Sequence, residues 1–206
     1  EMCIRDSGIT TDSNGVIAKR QLSVKYISQS GFPTGCESAS AVMLLQNAGY
    51  NVSVADFVDK YLDKGGFTWK NGIQYGPDPN SKFVGDPRSS SGFGCYAPVL
   101  TKAMNKILGN GKTAKNLTGT AFMSLLTDYI DKGIPVAVWA SINMVNVDNG
   151  RQWVIPETGQ LFTWKRHEHC LVLVGYDAEY YYMNDPYQSK GLAVSYTHLT
   201  LPTIRL

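Results

Sequence analysis

One cysteine, Cys36, stands where a turn gives way to a helix, in the stretch SGFPTGCESASAVMLLQ (residues 30–46). A thiol in the first turn of a helix faces backbone N–H groups that have no intrahelical partner, and it feels the positive end of the macrodipole. Both favour the thiolate, which is the nucleophilic form. Thr34 and Glu37 have the spacing of a capping box, with Thr34 as N-cap. Gly35 leaves room beside the sulfur and Pro33 stiffens the approach. The placement therefore predicts a reactive cysteine with a lowered pKa rather than a small buried hydrophobe.

A nucleophilic cysteine needs a base and a group that orients the base. His167 and His169 stand in RHEHCLVLVGYD and Asp185 in MNDP. The strand-like runs 169–177 and 180–186 are separated by Ala178 and Glu179, which predicts a hairpin. The start of the first strand then lies beside the end of the second, so His169 and Asp185 become neighbours. His167 shares the phase of His169 but falls farther from Asp185, as a loop residue. Alone, Asp185 would read as a turn residue before Pro186. Gln29 precedes Cys36 by a short loop, and its amide N–H together with the Cys36 backbone N–H could receive a developing oxyanion.

The rest of the chain must hold these groups in place. Helices are expected over 36–49, 53–66, 96–111 and 120–133, with strands over 22–30, 134–142, 151–156, 161–166, 169–177 and 180–186. Helices first and an antiparallel sheet afterwards point to an α+β fold. Residues 67–95, rich in Gly, Pro, Asn, Asp and Ser, read as one long irregular loop. Its Trp69, Tyr75, Phe83 and Phe93 are expected to border a substrate cleft. The 206 residues, 43% hydrophobic and 17% charged, suit one globular domain. A net charge of +2 without a basic-aromatic stripe gives no case for nucleic acid. No apolar run is long enough to span a membrane. The cysteines (Cys3, Cys36, Cys95 and Cys170) form no C-x-x-C motif. Cys95 and Cys170 are expected as buried packing residues, or as a disulfide in an exported protein. EMCIRDS (1–7) and VSYTHLTLPTIRL (194–206) resemble translated adapter sequence. They are set aside together with Cys3 and His198, leaving a domain over 8–192 in a chain expected to continue naturally past about 190.

Four segments together, YISQSGFPTGCESASAVMLL, FVGDPRSSSGFGCYAPVL, IPVAVWASI and HCLVLVGYDAEYYYMNDP, resemble the stand-alone branch of the bacteriocin-processing, double-glycine-leader cysteine peptidases of the papain-like clan. The resemblance runs over roughly residues 20–190. It implies a papain-like fold with N-terminal helices packed on a C-terminal antiparallel sheet. It also implies Cys36 as nucleophile, His169 as base and acid, Asp185 as the orienting group and Gln29 in the oxyanion hole, with no cofactor. Similar Gram-positive proteins are exported or surface-attached, so an extracellular or cell-surface site, a peptide or protein substrate and association with the cell wall are expected. No ATP-binding region accompanies the domain, so the leader substrate of peptidase-bearing transporters does not carry over. Three rival readings use the same residues. One is an amidase or transpeptidase acting on wall peptides; another is a non-catalytic peptide- or wall-binding module. The third is a zinc site from Cys36, His169 and Asp185 with Cys95.

Overall fold

The run CLVLV (170–174) is apolar at every position, the pattern of a strand buried on both faces. In the computed structural model, which describes residues 8–11, 13, 17–188 and 192–195, this run is the middle of the central strand. In chain order, two strands, β1 (Gly8–Thr11) and β2 (Ile17–Gln21), precede the helix α1 (Cys36–Asn47). A short α2 (Val54–Asp56) runs into a π-helical turn over Phe57–Tyr61. Short strands follow: β3 (Lys64–Gly65), β4 (Thr68–Lys70), β5 (Ile73–Tyr75) and β6 (Phe83–Val84). Then come α3 (Ala97–Asn105) and α4 (Phe122–Leu125), the latter continued by a π-helical turn over Leu126–Ile130. The chain closes with β7 (Val136–Ser141), β8 (Asn149–Val154), β9 (Leu161–Lys165), β10 (Glu168–Asp177), β11 (Tyr180–Asn184) and β12 (Leu192–Ser195). The order is α+β, as expected, with most helical residues ahead of the main sheet.

The strand β10 organises the sheet. One edge pairs antiparallel with β11, which in turn pairs with β12. Along the other edge, residues 168–173 pair with β7 and residues 175–177 with β2. The alternation of β10 decides what each face meets. Leu171 and Leu173 pack with Leu125, Leu126 and Ile130 from the α4 segment. Val172 and Val174 pack against Met43 of α1. Between them these contacts clamp α1 and α4 to opposite faces of one strand, burying each apolar side chain at a gain of about 1.5–3 kcal/mol. At Gly175 the β2 backbone passes so close that a Cβ would lie 2.2 Å from the Arg20 carbonyl oxygen, so only glycine fits the crossing.

Two expectations are corrected here. Residues 22–30 are not a strand; the strand is β2, just upstream, and 22–29 continue without regular secondary structure, held by bonds such as Leu22 N–H to the Val174 carbonyl. Residues 67–95 are not one irregular loop. A hairpin of β4 and β5 turns on Asn71 and Gly72, both in the left-handed region, and β5 continues through β8 to β9 as a four-stranded sheet. Of the aromatics expected at a cleft, Phe83 is fully buried beside α3, while Phe93 packs edge-on against Trp153 and Trp164. Trp69 is exposed. Of the segments set aside above, Val194 and Ser195 belong to β12, and the remaining residues lie outside those described. Among the described residues no helix is long and apolar enough to cross a membrane.

Candidate active site

The nucleophile candidate sits where expected, as the first residue of α1, but the cap differs. Gly35 is the N-cap and no side chain caps the helix. The Thr34 hydroxyl is taken elsewhere, donating to the carbonyls of Asp86 (3.3 Å) and Ser89 (3.1 Å). Those carbonyls belong to a loop that folds onto the Phe32–Thr34 turn, where Arg88 lies 4.9 Å over the Phe32 ring and pairs with Asp59. Glu37 does not reach back to the cap. Its side chain turns inward and is fully buried. Oε2 accepts the Cys36 thiol at 3.1 Å and Oε1 accepts the Cys95 backbone N–H at 2.9 Å. The capping box is therefore replaced by two long-range contacts, because a loop some fifty residues downstream supplies better partners for both side chains.

The first half of α1 is buried all round, which its small residues permit: Ser38, Ala39, Ser40 and Ala41 are all at 0% exposure. This lets the helix start press directly onto β10. The Ser40 hydroxyl donates to the Cys170 carbonyl at 3.2 Å. The Cys170 backbone N–H bonds the Cys36 sulfur. The thiol thus lies against the residue next to His169 in the strand.

His169 and Asp185 are brought together as the hairpin predicts. His169 Nε2 lies 2.6 Å from Asp185 Oδ1, and both side chains are buried. With Nε2 engaged, Nδ1 is the ring nitrogen left for a thiol. The carboxylate is itself held by the Tyr187 backbone N–H at 2.9 Å. The exposed Tyr187 ring stands edge-on to the imidazole, with centroids 6.2 Å apart. Among the described residues no hydrogen bond joins the Cys36 thiol to His169. His167 is exposed in the turn before β10, with φ at 63°, consistent with a loop role. Gln29 is buried near the same centre, its backbone N–H donating to the Pro186 carbonyl at 2.9 Å. Its side-chain Nε2 donates to the carbonyls of Phe32 and Pro33, both at 3.2 Å. An amide N–H aimed at an oxyanion would have to leave one of them.

The electrostatics depart from expectation. Burial pushes the Cys36 thiol well above its ordinary value, and the carboxyls of Glu37 and Glu168 add to the push; only the Cys170 N–H works the other way. The partial charge of one helix end, roughly half an elementary charge, does not offset loss of water next to two carboxyls. Burial also raises Asp185, but the bonds and charge of His169 together with the backbone N–H groups outweigh it, and its carboxyl titrates below the ordinary range. Glu37 is pushed up to about 7 by burial, against the opposing pull of its backbone hydrogen bonds. A carboxyl raised in the folded state binds a proton that the unfolded chain has already lost. Its stabilising effect is complete at low pH and disappears as pH rises through the folded value. Stability is accordingly expected to fall by on the order of 1–3 kcal/mol between the ordinary carboxyl range and pH 7. Urea unfolding of the wild type and Glu37→Gln across this interval checks it, since the variant lacks that slope.

Sequence reasoning missed the inward turn of Glu37 and the part played by Glu168, whose Oε1 is buried without a hydrogen-bond partner among the described residues. The run of small residues after Cys36 was the available signal, since it marks a helix start packed on every side. Cys95 and Cys170 are buried free thiols, not a disulfide. Among the described residues no three His, Cys, Asp or Glu side chains converge as a metal site.

Comparison with known proteins adds to this geometry. The profile of the Peptidase_C39 like family matches residues 21–199. The uncharacterized protein YvpB of Bacillus subtilis (strain 168) is 33% identical over 157 residues, 76% of this chain and 60% of that protein. The chain therefore spans about 60% of the length of this curated relative. The crystal structure of a protein named as a C39-like peptidase, from Bacillus anthracis, superposes with a TM-score of 0.73 at 28% identity, covering 84% of this chain and 86% of that one.

Proposed function

The chain belongs to the Peptidase_C39 like family, and from that premise we propose that it is a cysteine peptidase that hydrolyses peptide bonds through Cys36, His169 and Asp185. The observation that carries the reading is the buried His169–Asp185 pair at 2.6 Å, whose histidine stands in the strand against which the Cys36 helix start is pressed. A buried imidazole fixed at Nε2 by a carboxylate presents Nδ1 as base, and packing alone gives no reason to bury such a pair.

In the proposed reaction, His169 Nδ1 takes the thiol proton and the sulfur attacks the peptide carbonyl carbon. The new C–S bond forms as the carbonyl electron pair moves to oxygen. The oxyanion faces the first-turn N–H of Cys36, with the Gln29 amide joining once it gives up a loop carbonyl. Collapse breaks the C–N bond, and the leaving nitrogen takes the proton from His169. Water, deprotonated by the same ring, then attacks the thioester, and the sulfur departs as the carboxylic acid forms. Asp185 holds the ring in one tautomer throughout. Following the exported Gram-positive branch that the motifs resemble, we place the substrate outside the cell or at its surface.

Digestion of a mixed peptide library in ¹⁸O-labelled water, read by mass spectrometry, tests this. Hydrolysis puts ¹⁸O into each newly formed C-terminal carboxyl. Ligated peptides without label would replace the reading by a transpeptidase, release of ammonia from side-chain amides would replace it by an amidase, and no turnover at all would leave a binding module.

A further inference from the structure

The thiol has one hydrogen, and it is committed to Glu37 rather than to His169. We infer that Glu37 is a positioning residue that parks the Cys36 sulfur, protonated, away from its base, so that the protein rests in a restrained state. The inference rests on the peptidase reading for its meaning, but not for its test.

The geometry around Glu37 is specific. Its Oε1 is fixed by the Cys95 backbone N–H, so Oε2 alone is turned to the sulfur. The carboxyl of Glu168 lies against the same face of Gly94: a Cβ built on that glycine would fall 2.2 Å from Glu37 Oε1 and 3.2 Å from Glu168 Oε2. Position 94 must therefore remain glycine for the two carboxyls to share this space. Two carboxyls so close in a dry site cannot both carry full charge without cost, so the pair retains a proton. The groups facing Glu37 come from every element around it: Cys36 on its own helix, Cys95 and Tyr96 from the segment leading into α3, and Glu168, His169 and Cys170 from β10. Trp139 of β7 completes the surround, its indole N–H donating to the Cys95 carbonyl at 3.1 Å. His169 is the cation-forming member, and the thiol must leave Glu37 to meet it.

The substitution Glu37→Gln reverses the polarity of the contact. The Cys95 N–H holds the amide oxygen, so the amide nitrogen is turned to the sulfur and donates to it, favouring thiolate. The experiment measures the rate of Cys36 alkylation by iodoacetamide against pH, with the modified residue located by peptide mass mapping. In the wild type the midpoint is expected above that of an ordinary cysteine, about 8.5. In Glu37→Gln it is expected lower by at least about one pH unit, so that about tenfold more thiolate is present at a given pH. A wild-type midpoint at or below the ordinary value overturns the inference, as does a variant profile that superposes on the wild type. If the variant does not fold, the wild-type arm still can overturn the inference, because a midpoint at or below the ordinary value leaves no protonated, parked thiol. Neither arm needs a peptide substrate, so a failed search for peptidase activity leaves this test standing, and the reverse holds too.

Discussion

Replacing Cys36 with alanine is expected to lower peptide hydrolysis by at least about three orders of magnitude, roughly 4 kcal/mol of transition-state stabilisation. The argument is chemical. The proposed pathway runs through a thioester, and no other nucleophile is placed at the start of α1 to form one. Cys95 and Cys170, the other thiols of the described residues, are at 0% exposure and pushed well above their ordinary values by burial, so neither can substitute. The substitution removes one atom from a buried site and deprives Glu37 of a hydrogen-bond donor, which costs about 1 kcal/mol of stability. Activity and folding therefore separate cleanly. The check is steady-state hydrolysis of a peptide found in the library digest, beside a thermal unfolding curve. A Cys36→Ala protein that turns over the same peptide at the wild-type rate would falsify the covalent mechanism.

The second large effect belongs to His169. Removal of a general base and acid typically lowers kcat by about 10²–10⁴, and that is the expected range for both His169→Ala and His169→Gln, with KM little changed. The two variants should part company in stability. In His169→Ala, Asp185 is left buried at 4% exposure without the imidazole, its Oδ1 keeping only the Tyr187 N–H, at a cost of about 1–3 kcal/mol. In His169→Gln an amide N–H can still reach the carboxylate, so most of that loss is avoided while the base is gone. A kcat that falls in the alanine variant alone would make His169 a structural residue, and the loss of activity a consequence of unfolding.

These predictions rest on residues that the sequence alone makes legible. Cys36, His169 and Asp185 could be named because each is tied to a local signal: a helix start marked by turn residues, and a hairpin whose two ends must meet. The alternation of β10 was legible for the same reason, since a strand has a period of two and its faces follow from it. The hairpin at Asn71 and Gly72 carried a local signal too, but three-residue strands hold too few positions to show a period. Gln29 was legible as a position near the cysteine, but not its bonds to Phe32 and Pro33.

By itself, the sequence determined the α+β order, the family, and the identity of the three groups that could do chemistry. Tertiary structure alone decided what those groups touch. Thr34 and Glu37 have a capping-box spacing, yet one hydroxyl went to Asp86 and Ser89 and one carboxyl to Cys95 and the thiol. The physical reason is that hydrogen-bonding side chains choose among all partners within reach after folding, and burial multiplies the cost of a poor choice. A helix cap offers a carboxyl one exposed N–H; the packed interior offered Glu37 two donors and shelter from water. That same burial turned an activated thiol, as read from the chain, into one held at rest.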